Sequence, residues 1–177
     1  MTHRYMTQYM LDAIKGWPSQ HAVAFAAPLS ADITDRVVSG TCLSLNSDGE
    51  LILGCGNDAV MPMFAFPHPD DPDVSMDGGD PATDEEVSVP IGPSGKIVCL
   101  PAAGAFELWS TQYLASDEAN FVPNAPIYSP KSGGNEGLLC VGTIGTNTIV
   151  GITSSGITRR HNRKGVAFWP WFGPPQL

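Results

Sequence analysis

The chain has 177 residues, enough for one domain with a core and too few to require two. Its 19 glycines and 16 prolines exclude an architecture of long helices, and only 15% of residues are charged, against about a quarter in most soluble proteins. A net charge of −9 argues against a nucleic-acid ligand, because phosphate contacts need clustered Lys and Arg.

Residues 1–36 read as an N-terminal arm or short helix. Tyr5, Tyr9 and Ile14 share a face at helical spacing until Gly16-Trp17-Pro18 stops it. The alternative is an arm that orders only on a partner and can be separated from the body. The first residues lack an apolar h-region, so no secretory signal is visible and synthesis in the cytosol is expected. The run 22–29 is too short to span a bilayer, which gives no membrane partner. It reads as an apolar strand or docking strip carrying Phe25 and closed by Pro28.

Residues 37–177 read as a β-rich core domain. Residues 37–45 alternate toward their end, Asn46-Ser47-Asp48-Gly49 supplies a tight turn, and Glu50-Leu51-Ile52-Leu53 returns as the partner strand. Residues 61–66 form a short apolar strand. An acidic loop follows at 68–86, holding Asp70, Asp71, Asp73, Asp77, Asp80, Asp84, Glu85 and Glu86 without one Lys or Arg. Those eight acids leave ten for the rest of the chain, against nine bases, so the body is nearly neutral. Strands are expected at 87–89, 96–100 and 106–111, then mostly loop over 123–137, then strands at 138–144 and 148–152. The basic run Arg159-Arg160-His161-Asn162-Arg163-Lys164 precedes a last strand ending in Phe168-Trp169-Pro170-Trp171-Phe172. The pattern predicts an all-β fold, an antiparallel barrel or sandwich with an extended N-terminal arm and long loops.

Few residues suggest reaction chemistry. Gly151-Ile152-Thr153-Ser154-Ser155-Gly156 does not centre its serine between glycines as a nucleophile elbow does. His3, His21, His68 and His161 are scattered without a paired nucleophile. Cys42, Cys55, Cys99 and Cys140 lack CxxC spacing and sit beside apolar residues, which suits small buried hydrophobes better than zinc. Carboxylates around Asp73 and Asp77 suggest a calcium loop, but prolines break the register, and a solvated loop is the simpler expectation. No enzyme activity, cofactor or metal is expected. The basic run has no interleaved aromatics for base stacking; it suits a solvated turn or contact with an acidic neighbour, such as the acidic loop of a second copy.

The aromatic cluster at 168–172 is the largest anomaly, since each large aromatic buries about 150–250 Å². Both faces of that strand become apolar, so the second is expected either to close a barrel or to dock on another chain.

Several patches, in order, resemble tailed-bacteriophage head decoration (capsid cement) proteins. They are the strand-turn-strand from Gly40-Thr41-Cys42-Leu43-Ser44-Leu45 to Asp48-Gly49-Glu50-Leu51, then Glu107-Leu108-Trp109-Ser110-Thr111, then Pro123-Asn124-Ala125-Pro126-Ile127-Tyr128. Val141-Gly142-Thr143-Ile144 or Ile149-Val150-Gly151-Ile152 follows, and Ala167 to Phe172 closes the series. The resemblance implies a homo-oligomeric virion structural protein on the capsid surface, with the major capsid protein as partner. The interface candidates are then Tyr5, Tyr9, Trp17, Phe25, Trp169, Trp171 and Phe172. A phage tail or neck component is an alternative, and so is a carbohydrate-binding β-sandwich module using Trp109 or Trp169 to stack on sugar.

Overall fold

Ten strands in two antiparallel sheets make up the described fold, in a computed structural model that describes residues 11–15, 25–33, 37–38, 40–56, 62–65, 96–101, 107–142, 149–160 and 163–170. In chain order they are β1 (Leu11–Lys15), β2 (Phe25–Pro28), β3 (Cys42–Leu45), β4 (Leu51–Leu53), β5 (Met63–Ala65) and β6 (Lys96–Pro101). Then come β7 (Glu107–Ser110), the 3-10 helix η1 (Ala115–Asn120), β8 (Pro126–Tyr128), β9 (Ile149–Arg160) and β10 (Arg163–Pro170). The first sheet runs β1-β7-β10-β9-β8 and the second β2-β6-β5-β3-β4. The all-β expectation holds, in its sandwich form.

The β3–β4 hairpin follows from its turn chemistry. Asn46 Oδ1 accepts from the N–H groups of Asp48 and Glu50, and Gly49 takes φ 79°, a left-handed value that favours glycine. Strand alternation then sorts the side chains. Cys42 and Phe64 face the first sheet, where they pack with Leu108, Ile127, Val150, Val166 and Phe168 to form the core between the sheets. Leu43, Met63 and Ala65, the alternate residues of β3 and β5, join Ala27, Val37, Leu51 and Cys99 in a second cluster.

That second cluster exists because the second sheet curls. Leu29, just past β2 at one edge, forms a parallel bridge with Leu51 of β4 at the other edge. Ser30 N–H donates to the Leu51 carbonyl at 2.9 Å. One bridge joins the edges without closing a barrel, and Leu29, Ile33, Leu45 and Leu53 pack around the apolar inside of the curl.

Several expectations are corrected. Residues 11–15 are a strand and not part of a helix: β7 offers an open row of backbone groups, and Leu11, Asp12 and Ala13 pair with Ser110, Trp109 and Leu108. Within the expected arm at 1–36, β1 and β2 are edge strands of the two sheets. Within the expected loop at 123–137, Pro126–Tyr128 forms β8 on the edge of β9, where a proline at the strand start is tolerated. The expected strand at 138–144 reduces, over its described part, to single bridges from Leu139 to Tyr113 and from Cys140 to Tyr128. The last strand is not a barrel seam, because β10 is the central strand of the first sheet. The expected strand at 87–89 lies outside the described residues.

Candidate functional site: the outward face of the first sheet

β9 and β10 set up this face. Their register shifts between Ala167 and Phe168, so that Phe168 pairs with Thr153 and Trp169 with Ile152. Alternation along β10 points Phe168, opposite Leu108, into the core and Trp169 away from it. Directly opposed residues on antiparallel strands share a face, and Ile152 also pairs with Pro126 of β8. Pro126, Ile152 and Trp169 therefore form an apolar row across three strands. Ile152 and Pro126 are half-buried, whereas Trp169 is 38% exposed.

Polar and buried groups flank the row. Ser154 Oγ donates to Glu107 Oε1, reaching across β10 from β9 to β7. On the same face Trp109 pairs with Ala167, yet is fully buried. Its ring lies close against Gly165: a Cβ built there would come within 2.5 Å of it. Trp109 is therefore unavailable for stacking on a sugar, and that part of the carbohydrate expectation is corrected.

At the far end of the same two strands lies the basic run. Arg159 opposes Lys164 and Arg160 opposes Arg163. Lys164 Nζ reaches Glu118 Oε1 of η1 at 2.6 Å, and Tyr113 Oη donates to Glu118 Oε2 at 3.5 Å. Both ends of the ion pair are well exposed, so it contributes at most about 1 kcal/mol. Asp117 Oδ2 accepts from Val141 N–H at 3.0 Å, which ties η1 to the chain after β8.

The four cysteines are free thiols, three of them buried and Cys140 half-buried, as small hydrophobes would be. Burial pushes the Cys99 thiol up to about 12. Burial and then the Asp117 charge push Cys140 up to about 11. Cys42 is raised by burial first and by Cys55 second, with a Ser129 hydrogen bond opposing. Among the described residues no three His, Cys, Asp or Glu side chains converge as a metal site.

Of the residues predicted from sequence, Trp169 stands on this face and Phe25 sits in β2, paired with Cys99. Tyr5, Tyr9, Trp17, Trp171 and Phe172 lie outside the described residues, as do all four histidines and the acidic loop with its calcium reading. Ile152 and Pro126 were missed. Their place beside Trp169 is set by pairing between strands distant in sequence, for which no local pattern exists. Comparison with protein-family models, curated proteins and solved structures returned no match to this chain.

Proposed function

We propose that this chain is a structural subunit that attaches to a larger protein shell, decorating a phage capsid as the sequence resemblance implies. The observation that carries the reading is the exposed Trp169 at the end of the row Pro126, Ile152, Trp169. Tryptophan is enriched among the residues that dominate protein interfaces, because a large flat ring buries much area at little entropic cost. A five-stranded sheet backed by a full core holds that ring rigidly, so docking it orders little else. Many copies binding only an assembled lattice stabilise that lattice by mass action.

The test is reconstitution on capsids that lack the subunit, with occupancy read by sedimentation of the particles. Trp169→Ala is expected to lower affinity at least about tenfold while leaving the fold intact. Unchanged occupancy would remove Trp169 from the interface. Deleting residues 1–10 tests the arm without disturbing β1; a deletion through residue 27 also removes β1 and most of β2, and so tests folding instead.

A carbohydrate-binding module is the second reading, favoured by the same exposed ring. Quenching of Trp169 emission by glycans, absent in Trp169→Phe, would favour it over shell attachment.

A further inference from the structure

We propose that the tip of the β9–β10 hairpin is a docking surface for the acidic segment 70–86 of a second copy of this chain. The argument is independent of the Trp169 face and starts from strand pairing. β10 pairs with β7 only from Val166 onward, and β8 pairs with β9 only over Ile149–Ile152. Residues 158–160 and 163–165 therefore pair only with each other in the ladder, at the end of the sheet where Gly165 still lies against Trp109 and Ser110 of β7.

That end of the ladder concentrates positive charge in opposed pairs, Arg159 with Lys164 and Arg160 with Arg163. Like charges directly across a ladder destabilise it, so the arrangement gains from an anionic partner. Glu118 answers Lys164. Arg159 is exposed and Arg163 half-buried, and neither has a carboxylate within ion-pair reach among the described residues.

The chemistry of the partner is suggested by the chain's own charge. Eight of its 18 acids lie within residues 70–86, which contain no Lys or Arg. A long-range field of net charge −9 works against a nucleic acid but does not prevent a local match between hairpin tip and segment.

The end of β5, the strand that precedes the acidic segment in sequence, lies close to the base of the hairpin tip. β5 ends at Ala65, whose carbonyl accepts from Gly40 N–H at 2.9 Å. The Gly40 carbonyl in turn accepts from Ser110 Oγ at 3.3 Å, and Ser110 pairs with Val166. Ala65, the last residue of β5, thus lies near Val166 at the base of the hairpin tip. A chain carrying both a cation cluster and an anionic segment is self-complementary: two copies meeting by a two-fold axis satisfy both pairings at once.

Charge swapping, read by sedimentation velocity on the full chain, tests the proposal. The wild type is expected to self-associate at about 50 mM salt and to weaken at least about tenfold by about 500 mM. The variant R159E/R163E is expected to be monomeric, and so is D73K/D77K/D80K. The first is expected to fold, since each new glutamate faces a cation on the partner strand. Mixed together, the two variants are expected to restore the dimer, because each supplies the charge the other lacks. A wild type that stays monomeric at low salt, association that survives R159E/R163E, or failure of the mixture to associate would each overturn it. Retained β-sheet circular dichroism separates these outcomes from misfolding.

Discussion

Phe64 of β5 and Phe168 of β10 meet across the sandwich with ring centroids 5.3 Å apart and planes tilted by 58°. Both are fully buried, and they are the direct aromatic contact between the two sheets among the described residues. Gly151 of β9 lies against the same ring, since a Cβ there would sit 2.8 Å from Phe168. The inward face of β10 is therefore closed around one side chain.

Phe168→Ala is accordingly expected to cost about 3–5 kcal/mol, the transfer term plus a cavity that two sheets and a tight glycine cannot collapse into. Phe64→Ala should cost about as much, and the double variant less than the sum by about 0.5–1.5 kcal/mol. Urea denaturation of the three variants measures it. Strict additivity would mean that the rings do not support each other.

Gly165 makes a sharper case, because its neighbour cannot yield. Adding a methyl there places it 2.5–2.7 Å from Trp109 ring carbons and the Ser110 carbonyl, and Trp109 is fully buried. Gly165→Ala is expected to lose about 1–3 kcal/mol through overpacking, or more if the indole must leave its site. Gly142→Ala, where the added methyl meets nothing, is the matched control and should stay within about 0.5 kcal/mol. Thermal melts with tryptophan emission would show both; equal melting temperatures for the two variants would contradict the close approach.

What could be read ahead of the structure was local. The β3–β4 hairpin was legible because Asn46, Asp48 and Gly49 carry the turn in their own side chains and φ preferences. β1 was not, because its state is decided by the open edge of β7, about a hundred residues away in the chain. β8 hid behind Pro126, which reads as loop until an edge position makes it acceptable. The aromatic run at 168–172 announced an unusual strand, yet which of Phe168 and Trp169 faced the core depended on the pairing of β10 with β7, where Phe168 opposes Leu108. The basic run was visible as composition, but its form as opposed like-charge pairs at the end of the β9–β10 ladder needed the pairing.

The buried thiols predict how stability responds to alkaline pH. The ordinary thiol value of 9.0 applies to the unfolded chain, whereas the fold holds Cys99 at about 12 and Cys140 at about 11. Between those values the unfolded chain has already released protons that the folded chain keeps, so deprotonation favours unfolding. The contribution of these thiols is thus fully present below about pH 9 and is lost as pH rises toward 11 and 12. Cys42, Tyr113 and Tyr128 are also raised by burial and act in the same direction. At about pH 10.5 Cys99 alone should cost about 2 kcal/mol relative to neutral pH. Urea midpoints in reducing buffer at about pH 8 and about pH 10.5 measure the drop, and Cys99→Ala should lessen it. The same burial should leave Cys42, Cys55 and Cys99 inert to a disulfide reagent at about pH 8 until denaturant is added, with Cys140 reacting first. A midpoint that does not move with pH, together with three fast-reacting thiols in the native chain, would show that these cysteines are not enclosed by the packing of the two sheets.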